Sequence, residues 1–110
     1  MALHRLVVLS NAVDNRDDEF NAWYTDQHLG DVLATPTFVS AQRFELSGAV
    51  SDGLKYKYLA IYDIETNDLA ASLTDLESRA NTERMPVSET LDVPGVYAHV
   101  YTPITGLVKA

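Results

Sequence analysis

DDEFNAWYTDQHLGDVLATPTFVSAQRFEL, residues Asp17 to Leu46, reads as an amphipathic helix that turns back into a strand. Phe20, Tyr24, His28 and Asp31 recur at i, i+4, i+8 and i+11, a spacing that a period of 3.6 residues keeps on one face. That face is apolar enough to be buried, yet it carries three groups able to hold or move a proton. Buried polar groups are paired or used, because leaving them unsatisfied is costly. Asp14 or Asn15 is the expected N-cap, and Asp17, Asp18 and Glu19 place negative charge in the first turn, where the helix dipole favours it. The helix is expected to run to His28 or Leu29 and to stop at Gly30. One further turn, Asp31 to Ala34, then ends before Pro36. Phe38 to Leu46 alternates as a strand, with Val39, Ala41 and Arg43 on one side and Phe38, Ser40, Gln42 and Phe44 on the other.

The elements on either side follow from changes of period. Leu3–Leu9 (LHRLVVL) is apolar on both faces, as a central strand is. Ser47–Gly53 reads as a turn. Leu54–Ile64 (LKYKYLAIYDI) reads as a strand with Tyr56, Tyr58, Ala60 and Tyr62 facing one way and Leu59 and Ile61 the other. Asn67–Ala80 has the helical stripe Leu69, Leu73, Leu76, Ala80, and Gly95–Tyr101 alternates Val96, Ala98, Val100 against Tyr97, His99, Tyr101. The order βαββαβ predicts a ferredoxin-like α+β domain, an antiparallel four-stranded sheet with two helices on one face. Tyr97, His99 and Tyr101 then fall on the uncovered face. An aromatic surface of that size is expected to be covered by a second copy, giving a two-fold homodimer through the sheet.

Composition narrows the chemistry. A chain of 110 residues is expected to form one domain, residues 1–110. Its 8 Lys+Arg against 16 Asp+Glu give a net charge of −8, which repels phosphate backbones and anionic lipid, so neither nucleic acid nor membrane is an expected partner. The absence of cysteine removes disulfides, iron–sulfur clusters and thiol nucleophiles. Met1–Leu9 lacks the marks of a secretory leader, and a cytoplasmic location is the expectation. No glycine-rich loop follows a strand as NAD, FAD or ATP sites require, and no G-x-S-x-G is present. The second helix offers no histidine to haem, leaving only His28 and Asn11 as candidates. No cofactor is expected.

The run W-Y-x-x-x-H-L-x-D-x-L-A-x-P-x-F-V-S-A-Q-R-F, here Trp23, Tyr24, His28, Leu29, Asp31, Leu33, Ala34, Pro36, Phe38 to Gln42, Arg43 and Phe44, resembles the EthD-like branch of the dimeric α+β barrel superfamily. The element order extends the resemblance over essentially the whole chain. Two positions depart from the pattern: Gly30 stands where proline is common, and Thr37 where glycine is common. The resemblance implies a dimeric α+β barrel and a range of activities, among them cofactor-free monooxygenases, cyclases, muconolactone-type isomerases and haem-handling branches. Fold membership does not choose between them.

Proton transfer needs a histidine that reaches the substrate and a second group that fixes its tautomer. His28 is the candidate acid or base, and Tyr24 and Asp31, one turn before and after it, are the candidate partners. The competing reading makes His28 a helix-end residue whose imidazole satisfies carbonyls. Tyr58 and Tyr62 complete a pocket if their side of the strand faces the helices, and Trp23 is a candidate wall. Arg43 either anchors a substrate carboxylate or pairs with Glu45 or Asp63, the ion pair being the simpler expectation. His4 and His99 sit on strands expected to be neighbours but lack a third ligand, so no metal site is expected. The sequence therefore points to a cofactor-independent homodimer that binds an apolar, aromatic or polyketide-like small molecule and moves a proton with His28. The alternatives are a non-catalytic ligand-binding or stress-response module and a cofactor-free monooxygenase.

Overall fold

The structure, a computed structural model, describes residues 2–48 and 55–110. Four strands, β1 (Ala2–Ser10), β2 (Phe38–Glu45), β3 (Tyr58–Thr66) and β4 (Tyr97–Tyr101), form one sheet in the order β2-β3-β1-β4. Every neighbouring pair is antiparallel. The helices are α1 (Asp17–Trp23), α2 (Leu29–Leu33) and α3 (Leu69–Arg79). A π-helical turn, Tyr24–His28, joins α1 to α2 without a break, so the two act as one helix. The result is the expected α+β arrangement, with the helices over one face of the sheet.

Registry decides which side chains meet the helices. Leu6 lies opposite Tyr62 on one side and Val100 on the other, so these share the helix-covered face. Tyr58, Ala60, Tyr62 and Ile64 alternate inward along β3 and join Leu6, Phe20, Tyr24 and Val32 in the core. The side of the strand that carries Tyr58 and Tyr62, which alternation left open, is the one that faces the helices. Leu54, the expected start of that strand, and all of the Ser47–Gly53 turn except Ser47 and Gly48 lie outside the described residues. Lys55 to Lys57 precede β3.

Strict alternation fails on β2. Phe38 pairs with Ile64 and Ser40 with Asp63, leaving Val39 as an extra residue in a β-bulge. A bulge shifts the parity of everything before it. Phe38 is therefore buried at 6% exposure on the same side as Ala41 and Arg43, while Val39 is 51% exposed.

Two helix boundaries also differ from expectation. Neither Asp14 nor Asn15 caps α1: Asn15 takes a left-handed φ of 65°, and Arg16 occupies the cap position without a capping side-chain bond. Arg16 instead pairs with Glu19 and with Glu89, tying the helix start to the segment before β4. Gly30 does not stop the helix but lies inside α2, and its carbonyl accepts from Ala34 N–H. The stop comes at Pro36, which disfavours helical geometry in the residue before it. Thr37 follows with φ of 78°, a strained conformation for a β-branched residue. It is held by two contacts, its hydroxyl to the Ser72 hydroxyl at 2.7 Å and its carbonyl to Glu65 N–H at 2.9 Å.

The second face of the sheet has no helix. It carries Val7, Leu9, Leu59, Ile61, Phe44, Tyr97, His99 and Tyr101, and Tyr97 and Tyr101 share a hydroxyl–hydroxyl hydrogen bond. Beyond β4 the tail leaves Ile104, Leu107 and Val108 almost wholly exposed. Among the described residues no helix is long and apolar enough to cross a membrane.

Candidate functional site

A cavity of about 230 Å³ opens between the helices and the sheet. Leu6, Val8 and Ser10 of β1 and Tyr62 of β3 form its floor, and Tyr24, His28 and Val32 one wall. Leu76, Glu77 and Ala80 form the other, and Met85, Val87 and Leu91 close the end. The lining is mostly apolar, with a few convergent polar groups, which is the composition of a small-molecule site. A larger groove of about 630 Å³ lies on the open sheet face between Leu3, Arg5, Val7 and the tail from Tyr101 to Val108. It holds no histidine.

The π-helical turn builds the wall. In an α-helix, residues i and i+5 point about 140° apart; the wider turn, closed by Leu29 N–H to the Tyr24 carbonyl, brings Trp23 and His28 together. Their rings stack at 4.6 Å, and the Tyr24 ring meets His28 edge-on at 4.7 Å. His28 is thus oriented by ring packing. Its Nδ1 is buried without a protein hydrogen-bond partner, as are Asp31 Oδ2 and Thr35 Oγ1. The helix-end reading of His28 fails, because the helix continues to Leu33 and the imidazole Nδ1 finds no carbonyl among the described residues.

Burial pushes the His28 pKa down to about 4; the Asp31 charge opposes this and the Arg43 charge adds to it. The imidazole is therefore neutral at neutral pH. Desolvation outweighs the nearby carboxylate. Replacing Asp31 by Asn should remove the opposing effect, so the His28 titration followed by NMR of its ring carbons should move to still lower pH. An unchanged midpoint would show that Asp31 does not act on His28.

Of the residues singled out from the sequence, Tyr24, His28 and Tyr62 line one cavity. Trp23 stands behind His28, and Asp31 acts on it through charge without a hydrogen bond. Tyr58 lies elsewhere, its hydroxyl donating to Asp17 Oδ2 at 2.6 Å, and lines a separate cleft with Asn21, Arg43, Phe44 and Glu45. Arg43 forms no ion pair with Glu45 or Asp63; Asp63 pairs with Arg5. The Arg43 guanidinium instead lies 4.5 Å over the Tyr24 ring and donates to Asn21 Oδ1 and Thr25 Oγ1, each at 2.9 Å. Burial among rings, whose faces attract a cation, takes the place of the expected carboxylate. His4 and His99 face opposite sides of the sheet, and no cluster of three His, Cys, Asp or Glu able to hold a metal occurs among the described residues. Ser10, Glu77 and Met85 line the cavity without having been singled out. Ser10 carried a signal, as a polar residue closing the apolar run of β1.

No family model and no curated protein matches this chain. Solved structures do. A Shewanella loihica protein provisionally assigned as a monooxygenase superposes with a TM-score of 0.62 at 14% identity, over 96% of this chain and 97% of that one. An EthD family protein from Bacillus halodurans gives 0.53 at 12% identity, over 94% and 100%. A Streptomyces coelicolor monooxygenase in complex with the ligand nanaomycin D gives 0.50 at 13%, over 99% and 93%. Across nearly its whole length, this chain has the α+β fold that the EthD family protein and the two monooxygenase-type structures share.

Proposed function

We propose that this protein binds a small, mostly apolar aromatic molecule in the Tyr24–His28–Tyr62 cavity and catalyses a cofactor-independent proton transfer, an isomerisation, dehydration or cyclisation, with His28 as the base. The observation that carries this reading is a neutral, buried imidazole with an unpartnered Nδ1 on the wall of an apolar cavity. A base of that kind accepts a proton without first giving one up. The cavity volume of about 230 Å³ suits one or two fused rings. Proton transfer balances with side chains alone, so nothing further is required of the site.

β-Tetralone, a two-ring ketone with acidic C–H bonds, is a suitable probe. The protein should accelerate its hydrogen–deuterium exchange in heavy water, followed by NMR, and His28→Ala should cut that acceleration by about 10² to 10⁴. Exchange no faster than buffer, with binding still visible as a change in Trp23 fluorescence, would make the protein a non-catalytic ligand-binding module. Trp23 is the only tryptophan and stacks on His28, so its emission reports the cavity directly.

The monooxygenase names of the Shewanella and Streptomyces structures favour a second reading, in which an electron-rich substrate reacts with oxygen in the same cavity. Oxygen uptake with a naphthol separates it from proton transfer, which consumes none. In either case we place the working unit as a homodimer paired through the open sheet face, with one cavity in each subunit, because Phe44 and Tyr101 stay exposed there and no helix among the described residues covers that face.

A further inference from the structure

Tyr24 and Tyr62 are the two largest polar side chains on the cavity wall, 2% and 1% exposed. Burial raises the pKa of both above the ordinary phenol value, so both keep their protons. The Tyr62 hydroxyl donates to the Tyr24 hydroxyl at 3.0 Å. Two hydroxyl hydrogens and one bond between them leave one hydrogen over. Neither hydroxyl makes any other hydrogen bond among the described residues, so Tyr24 retains a donor beside the cavity. A donor that itself accepts a hydrogen bond is polarised and strengthened.

Arg43 adds to this from outside. Its guanidinium lies over the Tyr24 ring at 4.5 Å, locked by Asn21 and Thr25, and no carboxylate lies within ion-pair distance among the described residues. Glu45, in the same cleft, acts on it through space without an ion pair, and the guanidinium charge sits against the Tyr24 ring. Arg43 does not line the cavity, so it positions and polarises Tyr24 without touching a ligand. Glu77 lies on the α3 wall and Asp31 beside His28, while Glu45 lines the outer cleft with Arg43.

We propose that Tyr24, polarised by Tyr62 and by Arg43 behind its ring, is an oxyanion site, and that the cavity takes an enolisable carbonyl compound or a phenol with its oxygen against the Tyr24 hydroxyl. This deepens the proton-transfer reading and rests on it. The step it serves balances without an oxidant. A C–H bond next to the carbonyl breaks, its proton goes to a His28 ring nitrogen, and its electron pair forms the carbon–carbon double bond. The carbonyl π pair moves onto oxygen, where Tyr24 meets the charge with a hydrogen bond. Return of the proton from His28 to the same carbon completes an exchange, and where a further double bond is conjugated with the enolate, its return to the far carbon of that system gives the isomer.

para-Nitrophenol carries the charge such an oxygen would bear, and nitrobenzene has the same ring without the hydroxyl. In the wild-type protein, absorbance titration should show that bound para-nitrophenol ionises at lower pH than free, the phenolate binding about tenfold more tightly than the phenol. Tyr24→Phe should abolish that preference while leaving nitrobenzene affinity within about twofold, since only the hydroxyl is removed. Tyr62→Phe and Arg43→Gln should each reduce it by about threefold to tenfold, and Arg43→Lys should restore part of it. The proposal is overturned if bound para-nitrophenol keeps or raises its pKa, or if the preference survives Tyr24→Phe. It is also overturned if Arg43→Gln lowers nitrobenzene and nitrophenolate affinity equally, which a purely structural role would do. Nitrobenzene binding with no preference for the phenolate would leave the apolar cavity standing and remove only the oxyanion site. If neither compound binds, the cavity reading falls, and this inference with it.

Discussion

Acidification from about pH 7 to about pH 4.5 should cost the folded protein about 2 to 3 kcal/mol through His28 alone. The imidazole is neutral when folded, with its pKa pushed down to about 4, and returns to an ordinary value near 6.5 when unfolded. The unfolded chain therefore binds more protons than the folded chain between those two values. Stability from the neutral imidazole is fully present above about 6.5, falls as the pH drops through the window, and is gone once the pH is below about 4. Other groups act lower. Asp17, whose carboxyl is held below the ordinary range by the Tyr58 hydroxyl and by Lys57, loses its contribution only as the pH falls further. Chemical denaturation at several pH values, in wild type and in His28→Phe, isolates the effect. The variant keeps a ring against Trp23 but has nothing to protonate, so its stability should be nearly flat where that of wild type slopes. Equal slopes would show that His28 is not held neutral by burial and would remove its claim to be the base. Trp23 fluorescence offers a second readout, because an imidazolium stacked at 4.6 Å changes the emission of the indole.

Replacing both Tyr97 and Tyr101 by Ser should raise the dissociation constant of the proposed homodimer by roughly 10⁴ or more. In a two-fold interface each position counts twice, so four rings are lost. Each buried ring contributes about 1.5 to 3 kcal/mol, giving about 6 kcal/mol at the lower end. The pair is changed together because the two hydroxyls bond each other, and removing one alone would strand its partner. Light scattering during size exclusion reads the outcome. A wild-type monomer at micromolar concentration would dismiss the assembly, and a double variant as dimeric as wild type would show that this face is not the interface.

Much of the fold was legible because burial on a sheet follows a two-residue period and burial on a helix a 3.6-residue one. Both periods are written in the residues themselves. The alternation of Tyr58, Ala60 and Tyr62 against Leu59 and Ile61 and the outward set Tyr97, His99, Tyr101 were legible on that basis, while which side of the Tyr58–Tyr62 strand meets the helices was decided by the structure. The errors arose where one extra residue enters a regular element. At Val39 a bulge reverses the parity of Phe38, and at Tyr24–His28 a π-helical turn redirects the helix face. Neither insertion changes composition or pattern enough to be seen in advance. Gly30 misled for a related reason: glycine is permitted in a helix interior at modest cost, and here nothing but Pro36 ends the helix.

The site divides in the same way. The sequence by itself determined that Tyr24 and His28 lie one turn apart on one helix and that the fold is βαββαβ, because these rest on local spacing and on the order of elements. Only the tertiary structure decided their surroundings. It stacked Trp23 on His28, set the desolvation of His28 above the pull of Asp31, took Arg43 away from Glu45 and Asp63 to the Tyr24 ring, and joined Tyr24 to Tyr62 across 38 residues of chain. Burial, and which ring or charge lies across a cavity, depend on elements far apart in sequence, and no local pattern encodes them.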